Sequence, residues 1–200
     1  MEDTNIRSFI AIELPDELKR GLKVFQDRLK LPKYNFVKWV AVDGIHMTLK
    51  FLGNITLKQT DEVKSSLASI AQFQQKFALK TANIGAFPDT QRIRILWLGL
   101  EGDISKLIEL QQTLDSSFLR QGFKSEKRPF IPHLTLARVK QNCHLNERRE
   151  FGELIEGAKY EPIYYFEVDK ISIMRSHLLP GGAVYSKIAD FRLGKVGDSQ

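Results

Sequence analysis

The sequence predicts an α/β (α+β) fold built of two similar lobes that face each other across a cleft. Segments with strand and helix periodicity alternate along its 200 residues, and their order repeats in the second half. The tetrad His-Met-Thr-Leu at 46–49 also returns as His-Leu-Thr-Leu at 133–136, an offset of 87 residues. The simplest geometry is a bilobal one, with lobes of mostly antiparallel sheet and outer helices related by a pseudo-twofold axis. No linker-like composition separates the halves, so we expect residues 1–194 to form a single domain of two intertwined lobes.

Alternating apolar residues predict strands in the first hundred residues, and apolar residues at helical spacing predict two helices. A buried strand over 8–14 leads into a helix with Leu18 and Leu22 on its apolar face and Asp16 as its expected N-cap. The remaining predicted elements are strands over 36–40 and 45–52, a helix over 60–73, and strands over 77–87 and 93–100.

The second half continues with the same order of elements. Asp103 is the expected cap of a helix that ends near Gly122. The further predicted elements are a strand over 131–139, a helix over 146–155, and strands over 164–174 and 184–193, the last two joined by a loop around Pro180. Residues 195–200 are expected to form a polar tail.

Composition places the chain among ordinary folded proteins. With 42% hydrophobic and 27% charged residues it can bury a core, which excludes intrinsic disorder and a disulfide scaffold. The net charge of +6 is compatible with a polyanionic partner. Apolar runs fall short of the roughly 18 residues that a membrane span needs, and the N-terminus has no targeting signature. Because the lone Cys143 requires no oxidising compartment, we expect a cytoplasmic protein without membrane attachment, and we expect it to be a monomer.

In each tetrad the histidine and the threonine lie two residues apart, so a strand presents both on one face. His46 and Thr48 would face the cleft from one lobe, and His133 and Thr135 from the other. A pair of imidazoles suits a reaction that needs an acid and a base near neutral pH. The two hydroxyls are suited to donate hydrogen bonds to the oxygens of a phosphate between them. This geometry favours in-line displacement at phosphorus, with either histidine as the acid.

The pattern resembles the 2H phosphoesterases, a family named for two His-x-Thr-x motifs. The segments that carry the resemblance are 7–15, 46–53, 128–138 and 176–185. Within that family, the chain is similar to the RNA 2′,3′-cyclic phosphodiesterases of bacteria and archaea, also called 2′-5′ RNA ligases. The resemblance implies metal-independent hydrolysis of an RNA or nucleoside 2′,3′-cyclic phosphate end to a 2′-phosphate.

The resemblance also implies individual roles. His46 would be the general acid that protonates the departing 3′ oxygen, and His133 the general base that activates water. Thr48 and Thr135 would bind the phosphate. The expected partner is RNA with a 2′,3′-cyclic phosphate end, or a cyclic nucleotide. No metal and no cofactor are expected, because the four histidines are not spaced as a ligand cluster and the sequence has no Walker or Rossmann fingerprint.

Two alternatives stay open at the level of sequence. A non-catalytic nucleotide or RNA-end binding module could use the same cleft, and it would retain its affinity for RNA after loss of His133. The same site could also work in reverse and join a cyclic phosphate to a 5′ hydroxyl in a 2′-5′ linkage. The intact histidines and threonines favour an enzyme over the binding module.

Strand alternation predicts which face of the sheet the side chains next to the motifs occupy. Lys50 shares a face with His46, so it is expected at the rim of the cleft or in solvent. Phe51 has the opposite parity and is expected in the core, unless the strand bulges and lets it stack on a base. Arg138 likewise has the wrong parity to face the cleft, and nearby prolines leave the direction of Arg128 undetermined.

Overall fold

The computed structural model describes residues 5–126, 128–179 and 182–194, so the predicted tail at 195–200 and part of the loop around Pro180 lie outside it. The described helices are α1 (Asp16–Leu29), α2 (Leu57–Ala71), α3 (Ile104–Arg120) and α4 (Leu145–Gly157). The strands are β1 (Ile6–Glu13), β2 (Val37–Trp39), β3 (His46–Ile55), β4 (Phe77–Phe87), β5 (Ile95–Gly102), β6 (His133–Val139), β7 (Tyr165–Val168), β8 (Lys170–Leu179) and β9 (Gly182–Arg192). Short 3-10 turns lie at Pro32–Tyr34 and Val42–Gly44.

The described strands form two antiparallel sheets, which confirms the predicted fold class. Sheet I has the order β3-β1-β8-β9, and sheet II has the order β2-β6-β5-β4-β7. In each sheet a motif strand lies beside the strand that precedes it in the repeat: β3 beside β1, and β6 beside β5. The three-strand arrangement β3-β1-β8 therefore matches β6-β5-β4.

The two lobes exchange strands. β4 comes from the first half of the chain but lies in sheet II, whereas β8 comes from the second half but lies in sheet I. Each sheet therefore contains strands from both halves of the chain. β2, also from the first half, forms the edge of sheet II next to β6.

The helices and the inner faces of the sheets share one apolar core. α2 lies against β8 and β9 of sheet I, whereas α3 lies against β3 of sheet I and β4 of sheet II. α1 follows a strand of sheet I, yet the side-chain amide of its Gln26 donates to the carbonyl of Leu136 in sheet II. A single cluster of buried apolar side chains includes members from both sheets and from all four described helices.

Two helix starts differ from the sequence-based expectation. Pro15, and not Asp16, occupies the N-cap of α1; Asp16 lies in the first turn, where its negative charge still complements the helix dipole. α2 begins at Leu57 rather than at 60, because Thr56 and Gln59 form a capping box. Side-chain capping therefore placed one helix start earlier than the apolar spacing alone predicts.

The predicted strand over 164–174 is wrong as a single element. It divides at Asp169 into β7, which pairs with β4 in sheet II, and β8, which pairs with β1 in sheet I. The apolar alternation continues through the division, with Phe166 and Val168 buried on one side and Ile171 on the other. A local pattern of this kind does not reveal that the chain changes sheets.

Candidate active site

The structure brings the two strands that contain the His-x-Thr motifs close together. His46 begins β3 and His133 begins β6, and Cα atoms of these two strands come within 8 Å of each other although the strands belong to different sheets. Thr48 lies opposite Ala11 in β1, and Thr135 lies opposite Trp97 in β5. All four motif side chains are half-buried, between buried neighbours that anchor each strand in the core.

Both imidazoles are oriented in the same way. The Nδ1 atom of His46 lies 2.8 Å from the carbonyl oxygen of Gly44, and that of His133 lies 2.7 Å from the carbonyl oxygen of Ile131. Because a carbonyl oxygen only accepts, each Nδ1 carries the hydrogen and donates it. The Nε2 atom of each ring is then the one available for proton transfer.

Aromatic side chains enclose His46 in sheet I. The ring of Phe9 stacks on the imidazole with centroids 4.5 Å apart, and the ring of Tyr185 meets it edge-on at 4.9 Å. Phe51 lies 6.2 Å from Phe9. We call Phe9, Phe51 and Tyr185 the aromatic wall; they lie on the face of sheet I that is opposite the main core, which is the cleft face.

His133 has a different aromatic environment in sheet II. Phe87 at the end of β4 meets its imidazole edge-on with centroids 5.2 Å apart, and Trp97 lies at 6.5 Å. Phe87 and Trp97 also contact each other at 5.2 Å. Trp97 is therefore a half-buried packing residue that lies beside His133 rather than deep in the core.

Each motif strand contains a β-bulge at the same place. In the β1–β3 pairing, Ala11 lies opposite Thr48 and Ile10 lies opposite Lys50, so Leu49 is the extra residue. In the β5–β6 pairing, the register skips Leu136 in the same way. A bulge reverses the alternation of side chains beyond it, so the residues that follow each tetrad point opposite to the expected faces.

The bulge in β3 corrects two expectations. Lys50, expected at the cleft rim or in solvent, is turned to the core side and is only 5% exposed. Its ammonium forms an ion pair with Asp115 of α3 and donates to the carbonyl oxygen of Lys124 at 2.8 Å. Phe51, expected in the core, is 63% exposed on the cleft face, which is the outcome foreseen for a bulged strand.

The bulge in β6 corrects the expectation for Arg138. This residue is exposed and follows its bulge as Phe51 follows the other one. Its positive charge acts on the imidazole of His46 in the opposite lobe and lowers the pKa of that histidine. Arg128 is exposed in the segment before β6, where its backbone N–H donates to the carboxylate of Glu126.

The electrostatic environment of His46 favours its neutral form. Burial lowers its pKa from 6.5 to about 4, and the charge of Arg138 acts in the same direction. The hydrogen bond to Gly44 and the negative charge of Glu13 oppose this lowering. In the free protein His46 is therefore neutral at pH 7, with Nε2 as an acceptor.

Glu13 belongs to a polar network beside His46. It lies directly opposite His46 in the β1–β3 pairing, and its carboxylate accepts a hydrogen bond from Ser172 at 2.6 Å. Lys187 forms ion pairs with Glu13 at 2.9 Å and with Asp190 at 3.2 Å. Although burial favours the protonated acid, Ser172 and Lys187 lower the pKa of Glu13 and keep it ionised.

Sequence reasoning missed three residues of the His46 environment. Phe9 and Glu13 alternate along β1 with Ile10 and Ile12, which belong to the main core, so their face could have been inferred once β1 was paired with β3. Tyr185 comes from β9, and no local signal connects it with the motif. Its position depends on the pairing of β8 with β9 at the far edge of sheet I.

Neither a metal cluster nor a membrane-spanning helix occurs in the described part of the chain. Among these residues, no group of three or more His, Cys, Asp or Glu side chains is placed to hold a metal ion. No helix of the described ranges is both long and apolar enough to cross a membrane.

Comparison with known proteins identifies the family. The model of the LigT-like phosphoesterase family matches the chain twice, over residues 12–97 and 98–185. The chain belongs to this family. The resemblance to the 2H phosphoesterases that the two motifs predict is thereby confirmed, and the two matches coincide with the two halves of the repeat.

Two relatives match most of the length of the chain. It is 31% identical over 188 residues to the RNA 2′,3′-cyclic phosphodiesterase of Methanothermobacter thermautotrophicus, a match that spans 94% of this chain and 99% of the relative. It is 34% identical over 160 residues to the protein of the same name from Aquifex aeolicus, spanning 78% of this chain and 82% of the relative.

Solved structures share the fold. A crystal structure of E. coli LigT in complex with 3′-AMP has a TM-score of 0.76 at 24% identity, and the match covers 94% of this chain and 98% of LigT. The Thermus thermophilus protein TT0787 has a TM-score of 0.75 at 23% identity, with 96% of this chain and all of that chain covered. At this level of identity the likeness concerns the fold.

Proposed function

We propose that this chain hydrolyses the 2′,3′-cyclic phosphate at the end of an RNA, or of a nucleoside, to a 2′-phosphate without a metal ion. The observation that carries the proposal is the approach of two equivalent His-x-Thr strands whose imidazoles both leave Nε2 free. Two relatives that the chain matches over most of its length bear the name RNA 2′,3′-cyclic phosphodiesterase.

In the proposed reaction, water attacks the phosphorus of the cyclic phosphate in line with the bond to the 3′ oxygen. His133 accepts a proton from the water through Nε2, and a new P–O bond forms. The bond between phosphorus and the 3′ oxygen breaks, and His46 donates a proton from Nε2 to that oxygen. The products are a 2′-phosphate and a 3′ hydroxyl. Each such proton transfer contributes about 10²- to 10⁴-fold in rate.

The acid role places a condition on His46. Because burial lowers its pKa to about 4 in the free protein, the imidazole has to gain its proton when substrate binds. A phosphate anion beside Nε2 favours the charged form, as an opposite charge at hydrogen-bond distance does. Glu13 supports the same change because its carboxylate raises the pKa of His46.

The remaining site residues bind the substrate in this proposal. Thr48 and Thr135 donate hydrogen bonds to the non-bridging oxygens of the phosphate. Arg138 adds a positive charge near His46 that stabilises the charge developing on those oxygens. The exposed ring of Phe51 offers a stacking surface for the terminal base.

The proposal is tested by turnover of a nucleoside 2′,3′-cyclic phosphate in the presence of EDTA, with identification of the product isomer. We expect the 2′-phosphate as product and a loss of at least about 100-fold in kcat/KM for both His46→Gln and His133→Gln. His144→Gln is the matched control, because His144 is exposed at the start of α4, and it should retain activity.

Other outcomes of this assay contradict the proposal in distinct ways. Binding of the nucleotide without turnover by the folded wild-type protein indicates the non-catalytic binding module. Loss of turnover in EDTA contradicts a metal-independent reaction, and formation of the 3′-phosphate contradicts the assigned leaving oxygen.

We further propose that residues 1–194 act as one domain, as a monomer, and in the cytoplasm. Both motifs belong to a single chain, and the exchange of β4 and β8 ties the two sheets together. Cys143 is a free thiol, half-buried beside the guanidinium of Arg148, and needs no oxidising compartment. Sedimentation or light scattering of the purified protein checks the monomeric state.

A further inference from the structure

A buried amide on α1 contacts the second motif strand. Gln26 is only 1% exposed, and its side-chain Nε2 donates to two backbone carbonyl oxygens, that of Val40 at 2.9 Å and that of Leu136 at 3.1 Å. Leu136 is the extra residue of the bulge in β6, and Val40 follows the last residue of β2 at the edge of sheet II. The amide therefore joins the first helix of the chain to the irregular point of β6.

The two carbonyl partners fix the orientation of this amide. Because a carbonyl oxygen only accepts, the NH2 group of Gln26 is the end that faces Val40 and Leu136. Each of its two hydrogens has one carbonyl partner. The carbonyl oxygen of Leu136 accepts a second hydrogen bond, 2.9 Å long, from the backbone N–H of Val40. Both lone pairs of the bulge carbonyl are therefore used.

The other end of the same amide has no partner. The Oε1 atom of Gln26 is buried and accepts no hydrogen bond within the part of the chain that the structure describes. An unsatisfied acceptor in an apolar core is unfavourable, and a leucine or a methionine would fill a similar volume without that penalty. Packing alone therefore does not account for a glutamine at this position, whereas the two hydrogen bonds that it donates do.

The bulge decides which face of sheet II Arg138 occupies. Uninterrupted alternation from His133 would place the side chain of Arg138 on the core side. Because the register skips Leu136, Arg138 lies on the cleft face together with His133. From that position its charge acts on the imidazole of His46 in the opposite lobe. A donor that holds the carbonyl group of Leu136 therefore also holds the direction of Arg138.

We propose that Gln26 is a positioning residue that holds the bulge of β6, so that Arg138 faces the phosphate in the cleft. The inference rests on the proposed function, in which Arg138 stabilises the charge that develops on the phosphate oxygens. Loss of the amide removes one of the two hydrogen bonds to the bulge carbonyl, and the guanidinium is then no longer held in place. A displaced group that acts in the transition state lowers kcat more than it raises KM.

The experiment is a double-mutant cycle of Gln26→Met and Arg138→Gln, with turnover of adenosine 2′,3′-cyclic phosphate as the assay. Methionine fills the volume of glutamine without its donors. We expect Gln26→Met to lower kcat about fivefold and to change KM by less than about twofold. In the Arg138→Gln background the same substitution should change kcat by less than about twofold, because the residue through which Gln26 acts is then absent. Gln111→Met is the matched control, since it removes a buried amide from α3 and should leave kcat within about twofold.

A second readout needs no turnover. Because the charge of Arg138 lowers the pKa of His46, a guanidinium that leaves the cleft face should let that pKa rise. NMR titration of the imidazole should therefore show a rise in Gln26→Met, as in Arg138→Gln, and none in Gln111→Met. If the wild-type protein does not turn over the cyclic nucleotide, the proposed function fails, and this titration alone decides the role of Gln26: an unchanged pKa of His46 overturns it.

Three results of the kinetic cycle overturn the positioning role. The first is an unchanged kcat in Gln26→Met. The second is an equal fall of kcat in both backgrounds, since Gln26 then acts independently of Arg138. The third is a fall of the same size in Gln111→Met, because the loss of any buried amide would then have this effect. Gln26→Leu is the second variant, and a loss of folding in both Gln26→Met and Gln26→Leu, measured by circular dichroism, assigns the amide to the stability of the fold and overturns the proposal as well.

Discussion

The two motif strands have the same backbone irregularity at the same position but differ in the residues that follow it. Both begin with a histidine, place a threonine two residues later, and bulge at the leucine after that. Beyond the bulge, β3 buries Lys50 and exposes Phe51, whereas β6 buries Ala137 and exposes Arg138. The comparison teaches that the repeated part presents two imidazoles held in the same way, while the two residues after each bulge make the lobes unequal.

The surroundings of the two histidines differ as much as the residues after the bulges. His46 lies between Phe9 and Tyr185, and burial lowers its pKa to about 4. His133 meets Phe87 edge-on and has no stacked partner among the described residues. Because the motifs themselves are equivalent, the lowered pKa of His46 comes from its neighbours, and the acid role proposed for it requires substrate to oppose that lowering.

The largest effect on stability should come from the buried charge of Lys50, because the equivalent position in β6 is the uncharged Ala137. Asp115→Asn removes the carboxylate that pairs with Lys50 and leaves an ammonium in the core. We expect the free energy of unfolding to fall by about 3 kcal/mol, measured by urea denaturation.

Two control variants sharpen this comparison. The double variant Lys50→Met/Asp115→Leu removes both charges and should recover most of the lost stability. Asp61→Asn removes an exposed carboxylate of α2 that pairs with Lys64, and it should change stability by less than about 1 kcal/mol. If Asp115→Asn is as mild as Asp61→Asn, the Lys50 pair does not stabilise the fold.

Substitutions of Arg138 and Phe51, the two exposed residues after the bulges, should change different kinetic constants. Arg138→Gln removes a charge that stabilises the transition state, so kcat should fall about tenfold or more on a cyclic nucleotide. Phe51→Leu removes a stacking surface, so KM should rise about fivefold with kcat nearly unchanged. Arg120→Gln, exposed at the end of α3, is the control for loss of an arginine. The same pattern of change in both variants would contradict the division of roles.

The smallest effect concerns proton binding at His46 and is measured by NMR titration of the imidazole signals. The free protein should show one histidine that titrates near pH 4, and addition of a nucleoside 2′-phosphate should raise that pKa. Arg138→Gln should also raise it, and Glu13→Gln should lower it further.

This titration also has a consequence for stability. The pKa of His46 is lower in the folded protein than its usual 6.5, so the unfolded chain binds the extra proton between pH 6.5 and about 4. Neutral His46 should therefore make its full contribution to the free energy of unfolding above pH 6.5. This contribution should be lost progressively as the pH falls from 6.5 to about 4. A His46→Gln variant should show a flatter decline, and an unchanged slope would contradict the lowered pKa.

Much of the fold and the centre of the site could be predicted from sequence, because they depend on local patterns. Strand and helix periodicity is a local signal, and the recurrence of His-x-Thr reveals both catalytic candidates without knowledge of the fold. The directions of Lys50, Phe51 and Arg138 could not be predicted, because a bulge is a property of two paired strands and leaves the sequence alternation unmarked. Tyr185 and the division at Asp169 depend on which strands pair across the whole chain.

The exchange of β4 and β8 between the sheets limits how the molecule can move. The segment between β3 and β4 and the single residue Asp169 between β7 and β8 connect sheet I to sheet II, and both sheets pack on one cluster of buried apolar side chains. A change in the separation of the sheets would therefore have to disturb this shared core. We expect the two motif strands to keep their spacing when a ligand binds, so that selection of the ligand falls to the exposed side chains along the rim.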